Sequence, residues 1–204
     1  MNNTAEQHRY FIINKPYNMV SQFISSHDVR LLGHLSFDFP EGTHAIGRLD
    51  NHSEGLLILT TNKKVTRLLF DPKKKHERTY LVMVNRVVSE ELLAEMRAGV
   101  SIPVKNGERY FAVPHSIKLV ENVKDHYKYM NDSRQQYPHS WLLITLTEGK
   151  FHQVRKMSLA VNRRCLRLIR LSIENLQLGD LEPGMVREYS EAEFFKLIGI
   201  KYAA

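Results

Sequence analysis

The side chains of this sequence that could carry out chemistry are concentrated in residues 47–55, GRLDNHSEG. This run places the carboxylate of Asp50 close to the cation of Arg48, in a polar stretch directly before the apolar residues 56–59. Loop residues that are held by a rigid sheet often form catalytic sites. An aspartate in a turn can also bond to its own backbone and have a purely structural role. The local sequence leaves both interpretations of Asp50 open.

Two further segments combine protonatable side chains with positive charge. Residues 78–80, RTY, put Tyr80 at the start of a strand-like run, and residues 148–157, EGKFHQVRKM, are strongly basic. Each segment has an ordinary structural interpretation as well. Tyr80 could be a half-buried aromatic in a strand, and residues 148–157 could form a basic loop that leads into a helix.

Hydrophobic periodicity predicts the elements that position these segments. Residues 56–59 form a continuous apolar run that is too short for a helix and is typical of a strand buried on both faces. Residues 165–173 alternate apolar and basic side chains, which predicts a half-exposed strand. Further strands are predicted over residues 10–13, 79–84, 102–104, 110–113, 116–120 and 141–147, and helices over residues 63–70, 89–99, 157–161 and 190–198.

Two connections between these elements are informative. Asn106-Gly107 is a strong signal for a hairpin turn. Residues 122–140 are polar with few aliphatic side chains, which predicts a long hairpin loop of a kind that is often functional or mobile. Because strands outnumber helices and are interleaved with them, we predict one α+β domain over residues 1–204, with a mixed, mostly antiparallel central sheet flanked by helices.

The composition is ordinary for a soluble globular protein, with 43% hydrophobic and 25% charged residues. No apolar run approaches the roughly 20 residues that span a bilayer, and the N-terminal residues lack the apolar core of a signal peptide. We therefore expect a cytoplasmic protein that does not bind membranes, and a monomer. The single cysteine, Cys165, excludes an intrachain disulfide and a thiolate metal cluster, and we interpret it as a small apolar residue in a strand.

The formal net charge is +7, and its distribution along the chain is uneven. Seven Lys and Arg residues, and no Asp or Glu, lie between positions 150 and 170, and residues 73–75 form a second basic cluster. Such clusters attract the phosphates of nucleic acids, but they can also be solvated faces of a protein. Charge alone therefore leaves nucleic-acid binding open.

Taken in order, these segments resemble the motifs of the RsuA-type pseudouridine synthases, which isomerise uridine in RNA. The first motif of that family reads G-R-L-D-x-x-S-E-G-L-L-x-L-T, and residues 47–60 match every fixed position. Ser53 and Glu54 favour this branch over the related RluA branch, which has Thr-Ser there. The resemblance covers about residues 10–193, and its further matches are Lys15-Pro16, residues 78–82, residues 148–157, residues 178–184 and Arg187-Glu188.

The resemblance implies a reaction without cofactor or metal, in which the N1–C1′ bond of uridine breaks and C5 bonds to C1′. Asp50 maps to the family's catalytic aspartate, which acts as a nucleophile at C1′ or removes the 2′ proton to give a glycal, and both routes stay open. Arg155 maps to the cation that keeps this carboxylate charged, so we expect the two side chains to meet. Tyr80 maps to the aromatic that packs against the target base, and it is a candidate for handling the C5 proton.

The resemblance also implies an RNA partner whose target uridine leaves its stack. Arg48 resembles the arginine that holds the extruded nucleotide or occupies its vacated place. Leu56 and Leu57 are expected to support the wall of the pocket beneath Asp50. From charge alone, contacts to phosphates are expected from Lys73, Lys74, Lys75, Lys150, Lys156, Arg163, Arg164 and Arg167.

The first strand of the family begins near Tyr10, so we expect a single catalytic domain without the S4 RNA-binding domain that many members carry. This resembles the branch that modifies large-subunit (23S) ribosomal RNA without that domain, so 23S ribosomal RNA is the expected substrate. One alternative is 16S ribosomal RNA or transfer RNA as substrate. Others are a non-catalytic RNA-binding or ribosome-assembly factor, and a glycoside hydrolase with Asp50 and Glu54 as paired carboxylates.

Overall fold

The computed structural model describes residues 7–71, 74–130 and 136–202. Within these ranges the chain forms the strands β1 Tyr10–Lys15, β2 His44–Ile46, β3 Glu54–Thr60, β4 Arg78–Asn85, β5 Val100–Pro103, β6 Arg109–Ala112, β7 Ser116–Leu119, β8 His139–Leu146, β9 Cys165–Ile173, β10 Leu176–Gln177 and β11 Val186–Tyr189. The helices are α1 Lys64–Leu69, α2 Glu90–Ala98, α3 Gln153–Ala160 and α4 Glu191–Leu197. In this part of the chain, no helix has the length and apolar character needed to cross a membrane.

Nine of the strands form one sheet, in the order β11-β1-β3-β9-β4-β8-β7, with β2 paired to β3 and β10 paired to β9. Among the described strands, only the pairing of β3 with β9 is parallel, and the others are antiparallel. Strands β5 and β6 form a separate hairpin. The predicted α+β fold with a mixed, mostly antiparallel sheet is confirmed.

Strand β3 is buried along its whole length, as its apolar run predicts. Successive side chains of a strand point to opposite faces, so Leu56 and Leu57 enter two different core clusters. Leu57 packs in the cluster that also contains Leu49, the residue before Asp50. The core beneath β3 therefore helps to fix the turn that carries this carboxylate.

Strand β9 differs from its prediction, because it lies in the middle of the sheet and is not half exposed. It lies between β3 and β4, and both Arg167 and Arg170 are buried. Arg167 donates two bonds of 2.7 Å to the carboxylate of Glu54, and Arg170 Nε donates to the carbonyl of Leu56 at 2.8 Å. An alternating pattern cannot distinguish an arginine that faces water from one that has an acceptor on a distant strand.

The local signals for turns and helix starts are confirmed at several positions. The hairpin of β5 and β6 turns at Asn106-Gly107, where both residues have the positive φ that this dipeptide adopts readily. Asn62, Ser89 and Ser190 each accept a hydrogen bond from a backbone N–H in the first turn of α1, α2 and α4. These side chains satisfy donors that the helix itself leaves unpaired.

The connection between β7 and β8 was predicted as a long hairpin loop, and the two strands are antiparallel neighbours. Some of its described residues pack into the core. Tyr127 is 1% exposed within the main core cluster, and the guanidinium of Arg167 lies 5.6 Å from the centre of its ring. The Tyr129 hydroxyl donates to the carbonyl of Asp180 at 2.6 Å. Residues 131–135 lie outside the described ranges.

Candidate active site

A cleft of about 1150 Å³ brings together the three segments that the sequence marked for chemistry. Its lining includes residues 46–51, Tyr80, residues 146–154 and Arg170. Strand register explains why two of the lining residues are neighbours, because Tyr80 on β4 is paired with Arg170 on β9. The site is therefore assembled by the sheet from segments that are far apart in the chain.

Asp50 lies in the turn between β2 and β3, where the N–H of Ser53 donates to its carbonyl at 3.0 Å. The neighbouring Leu49 is buried. Its backbone is held by Ser21, whose hydroxyl donates to the Leu49 carbonyl at 2.8 Å and accepts from its N–H at 3.0 Å. The Asp50 side chain is 34% exposed. The backbone of this turn is thus fixed while the carboxylate is open to the cleft.

Two side chains of the third segment meet the Asp50 carboxylate. Nε2 of His152 lies 3.3 Å from Oδ1, and Nε of Arg155 lies 3.9 Å from Oδ2. The prediction that Asp50 and Arg155 meet is confirmed. The Asp50 carboxylate therefore faces an imidazole and a guanidinium.

His152 was not singled out by the sequence analysis, although it lies within residues 148–157. Its backbone has φ 55° and ψ 29°, the left-handed region that few residues other than glycine adopt. It directly precedes α3, and its ring stacks on that of Phe151 with centroids 3.9 Å apart. A sparsely populated backbone conformation beside a cleft carboxylate is typical of functional sites.

Helix α3 begins at Gln153, earlier than the predicted start at residue 157, so Arg155 lies in the first turn of a helix. Its Nη2 donates to the carbonyl of His52 at 2.8 Å and to the Ser53 hydroxyl at 3.2 Å. Arg155 therefore holds the turn that carries Asp50 as well as facing its carboxylate.

Lys15 holds the same turn from the other side. Its side chain is fully buried, and Nζ donates to the carbonyls of Met19 at 2.6 Å and Asn51 at 3.3 Å. Burial lowers the pKa of Lys15 to about 8, because it disfavours the charged ammonium, while the carboxylates of Glu54 and Asp50 act in the opposite direction.

Arg170 places a buried positive charge in the wall of the cleft. Its side chain is 5% exposed, and within the described structure its Nη2 has no hydrogen-bond partner. Burial lowers the pKa of Arg170, and the neighbouring Tyr80 hydroxyl and, more weakly, Asp50 raise it. A buried cation with one unpaired donor is costly, so a negative charge placed nearby in the cleft is favoured.

Tyr80 is half-buried in β4 and lines the cleft. Part of its ring packs against the core cluster that includes residues of α2 and α3. The remaining surface is open to the cleft, with the hydroxyl beside the Arg170 guanidinium. The ring is therefore held by the core at a position where a planar ligand can reach it.

A polar network joins the β5–β6 hairpin to the loop before α3. The Tyr110 hydroxyl donates to Glu148, which raises the pKa of the phenol. Gln153 donates to the same carboxylate at 2.6 Å and accepts from the N–H of Lys150 at 2.8 Å. The Lys150 ammonium lies 4.8 Å from the centre of the Tyr110 ring. These contacts fix the side of the cleft that faces His152.

The basic residues expected to bind RNA fall into separate groups. Four are exposed and line the cleft: Arg48, Lys74, Lys75 and Lys150. Three lie outside the lining of the cleft: Lys156, Arg163 and Arg164. Lys73 lies outside the described residues. The expectation for Arg167 is wrong, because its guanidinium is buried and paired with Glu54.

The pair of Arg167 with Glu54 also contradicts the interpretation of Asp50 and Glu54 as the two carboxylates of a glycoside hydrolase. Both oxygens of Glu54 accept bonds from Arg167, and its side chain is 8% exposed. A general acid or base has to reach the substrate, and Glu54 does not line the cleft. Among the described residues, no group of three or more His, Cys, Asp or Glu side chains is placed to hold a metal ion.

Leu56 and Leu57 are fully buried and do not line the cleft. Leu56 contributes its carbonyl, which accepts the Nε–H of Arg170. Leu57 packs in the cluster of Leu49. Both positions therefore lie beneath the site and contact the groups that form its wall.

Sequence reasoning assigned no role in the site to three residues: Arg170, and Lys15 and His152, which it matched only as parts of motifs. A usable signal existed for two of them, because Lys15 follows the apolar residues 10–13 and Arg170 interrupts the apolar end of β9. A charged residue in a strand that is otherwise buried has to find partners, and such positions often mark functional sites. His152 offers no comparable local signal, since its role depends on a turn of the backbone.

Comparison with solved structures identifies the class of protein that this fold and cleft define. A chain described as "Crystal structure of pseudouridylate synthase" matches with a TM-score of 0.72 at 29% identity, over 95% of this chain and 75% of that one. A Cbf5-Nop10-Gar1 complex shares the fold alone, with a TM-score of 0.54 at 14% identity over 95% of this chain and 57% of that chain. The fold is that of a pseudouridylate synthase.

Sequence comparison gives the family. A model of the RNA pseudouridylate synthase family matches residues 9–160. Ribosomal large subunit pseudouridine synthase E of Vibrio parahaemolyticus is 32% identical over 90% of this chain and 74% of its own length, and that of Xanthomonas axonopodis is 33% identical over 84% and 89%. Ribosomal small subunit pseudouridine synthase A of Salmonella typhimurium is 28% identical over 94% and 76%. This chain belongs to the RNA pseudouridylate synthase family, as its motifs predicted, and it is an isomerase.

Proposed function

We propose that this isomerase converts a uridine of 23S ribosomal RNA into pseudouridine, with Asp50 as the carboxylate that acts at the ribose. The observation that carries the proposal is the position of Asp50, which opens into the cleft between His152 and Arg155. The choice of RNA rests on the relatives named ribosomal large subunit pseudouridine synthase E. A small-subunit relative of lower identity makes 16S ribosomal RNA the second candidate.

The reaction moves one glycosidic bond and leaves the composition of the RNA unchanged. The N1–C1′ bond breaks, C5 bonds to C1′, the proton on C5 is lost and N1 gains a proton. In one route the Asp50 carboxylate bonds to C1′ as the uracil leaves, and C5 later displaces it. In the other route Asp50 removes the 2′ proton, a C1′–C2′ double bond forms as the uracil leaves, and the proton returns to C2′ as C5 bonds to C1′. Both routes require an ionised Asp50, and the Arg155 guanidinium faces this carboxylate.

Both routes also leave negative charge on the detached uracil, and Arg170 is placed to stabilise it. The guanidinium is buried in the wall of the cleft, and one of its nitrogens has no acceptor within the described structure. Coulomb interactions are stronger in such dry surroundings, and a prearranged cation needs no reorganisation during the reaction. Tyr80, next to Arg170, presents its ring to the base and its hydroxyl to the region where the C5 proton leaves.

The target uridine has to leave its stack before it can reach Asp50. Arg48 lies in the same turn as Asp50 and is exposed at the cleft, so it is suited to hold the extruded nucleotide or to fill its place. Lys74, Lys75 and Lys150 add exposed positive charge around the opening. The phosphates on either side of the target nucleotide are the groups that such lysines attract.

Asp50→Asn tests the role of the carboxylate, because it keeps the shape of the side chain and removes its charge. We expect the rate of pseudouridine formation on purified ribosomal RNA to fall on the order of 10⁴-fold, as for other residues that act covalently. Asp71→Asn is the matched control, since Asp71 also lines the cleft and is expected to leave the rate near that of the wild type. An Asp50→Asn enzyme with wild-type activity would show that another group does the chemistry.

The RNA target is tested separately, by mapping pseudouridine in total cellular RNA with and without this protein. We expect one signal in 23S ribosomal RNA to disappear when the protein is absent. Loss of a signal only in 16S ribosomal RNA or in transfer RNA would contradict the choice of RNA, while leaving the chemistry at Asp50 in place.

A further inference from the structure

Three phenylalanine side chains are exposed around the opening of the cleft. Phe70 is 48% exposed, Phe111 is 61% exposed and Phe151 is 67% exposed, and all three line the cleft that contains Asp50. We name them the aromatic rim. Exposed apolar side chains that gather at one place, with polar residues around them, mark binding surfaces.

Two of these rings lie close to glycines. A Cβ atom at Gly47 would lie 2.8 Å from the ring of Phe70, and a Cβ atom at Gly99 would lie 2.7 Å from that of Phe111. Both glycines therefore allow a backbone approach that another residue would prevent. Each of these two rings therefore lies directly against a glycine backbone.

Phe151 connects the aromatic rim to the carboxylate. Its ring is stacked on that of His152, with an angle of 17° between the planes, and His152 contacts Asp50. A base that stacks on the free face of Phe151 would therefore be separated only by that ring from His152, which contacts Asp50. The Lys156 ammonium lies 5.4 Å from the centre of the same ring, where it can also attract a phosphate.

The charge around the aromatic rim fits RNA. Among the described residues that line the cleft, seven are Lys or Arg, of which Arg78 and Arg170 are buried, and three are Asp or Glu. Cations that follow a phosphate backbone, combined with aromatic rings on which bases stack, are the features of sites for single-stranded nucleic acids. A regular duplex hides the faces of its bases, so exposed rings contribute binding energy only when bases are unpaired and unstacked.

We propose that the aromatic rim binds unpaired nucleobases next to the target uridine, so that the enzyme takes its substrate as a single-stranded stretch rather than as a regular duplex. This inference rests on the proposed function, because the target uridine is that of the proposed reaction. The bases on either side stack on Phe111 and Phe151 while the target enters the cleft.

The test compares affinities for a fluorescein-labelled dodecamer of uridine, measured by fluorescence anisotropy with the full chain. Phe111→Leu and Phe151→Leu keep an apolar side chain and remove the ring. We expect each to weaken binding on the order of tenfold. Tyr137→Leu is the matched control, because Tyr137 is 71% exposed and is not part of the cleft, and we expect it to leave the affinity unchanged.

Two further probes separate stacking from other effects. The first is a dodecamer in which every uridine except one is replaced by an abasic ribose, and the second is the dodecamer of uridine paired with a dodecamer of adenosine. We expect the two Phe→Leu variants to bind both probes as the wild type does. Unchanged affinity for the single strand, or equal losses on all three probes, would overturn the proposal. Failure of the proposed function would instead appear in the Asp50→Asn assay, which this binding measurement does not involve.

Discussion

The turn that carries Asp50 is held by two cations that bond to its backbone. Lys15 donates to the carbonyl of Asn51, and Arg155 donates to the carbonyl of His52 and to the Ser53 hydroxyl. At the residue scale, Lys15 and Arg155 therefore help to position the Asp50 carboxylate through hydrogen bonds to other groups of the turn. A substitution that keeps the positive charge of Arg155 and one that removes it are therefore expected to have different effects.

Arg155→Lys separates these two contributions. Lysine keeps a positive charge near Asp50, but its single ammonium cannot reproduce the planar set of donors that contacts both the turn and the carboxylate. We expect kcat to fall about 100-fold, which is the order of effect produced by a small misplacement of a reacting group, with a smaller change in KM. The measurement is steady-state kinetics of pseudouridine formation.

Arg163→Lys is the control for that substitution, since Arg163 lies outside the lining of the cleft and its replacement is expected to leave kcat unchanged. A wild-type kcat for Arg155→Lys, combined with a large loss for Arg155→Met, would mean that the charge alone is needed.

Lys15 gives a prediction about pH. Its pKa in the folded protein is about 8, below the ordinary value of 10.5. Between these values the unfolded chain keeps a proton that the folded protein has lost, so the free energy of unfolding rises with pH over this interval. The rise contributed by Lys15 is at most about 3 kcal/mol.

The measurement is urea denaturation of the wild type and of Lys15→Met at several pH values from 7 to about 10.5, the upper value being the ordinary pKa of lysine. We expect the unfolding free energy of the wild type to rise relative to that of Lys15→Met as the pH rises above about 8. A difference that stays constant across this range would contradict a lowered pKa for Lys15. Groups common to both proteins cancel in the comparison.

At the element scale, the site depends on the parallel contact of β3 with β9. Gly55 is paired with Arg170 there, and a Cβ atom at Gly55 would lie 2.3 Å from the Arg170 carbonyl. The φ of Gly55 is also positive, at 94°. Glycine at this position allows the two strands to approach closely, and this approach places the buried guanidinium beside Tyr80.

Gly55→Ala is therefore expected to separate the two strands or to strain the backbone. We expect it to lower the free energy of unfolding by more than about 2 kcal/mol, since it combines overlap with an unfavourable φ. Gly42→Ala is the control, because Gly42 has a φ of 79° but open space around its Cβ position, so it reports the cost of the conformation alone. Similar losses for the two variants in urea denaturation would show that the close approach costs little.

At the scale of the whole molecule, the net charge of +7 attracts RNA, and the number of phosphates that the protein neutralises sets how binding depends on salt. Each phosphate that is neutralised on a single strand contributes a slope of about −0.7 to the plot of log K against log salt concentration. Lys74 and Lys75 are exposed and line the cleft. We expect Lys74→Ala and Lys75→Ala each to make this slope about 0.7 less steep.

Lys118→Ala is the control for the salt measurement, because Lys118 is exposed on β7 and does not line the cleft, so its removal is expected to leave the slope unchanged. Equal slopes for the wild type and the Lys74 and Lys75 variants would place the bound RNA elsewhere on the protein. The same titrations in the Phe→Leu variants are expected to shift affinity without a change in slope, because stacking releases no counterions.

Local sequence was sufficient for the elements whose signals are contained in a few residues. The apolar run of β3 and the Asn106-Gly107 turn were predicted and are present, and helices α2 and α4 lie within their predicted ranges. The predicted half exposure of β9 was wrong. An alternating pattern is typical of a strand with one face exposed to water, whereas β9 is covered on both faces. The helix around Arg155 was predicted too short for a similar reason, since its polar first turn resembles a loop.

The sequence alone therefore determined the family motifs, the turn that carries Asp50 and the α+β class, because turn chemistry and hydrophobic period are properties of adjacent residues. Only the tertiary structure decided that Lys15, Arg167 and Arg170 are buried, that His152 faces Asp50, and that three exposed phenylalanines surround one cleft. The burial and the partners of a side chain depend on strands contributed by distant parts of the chain. The pairing of β3, β4 and β9 sets those distances, and no pattern within one segment contains it.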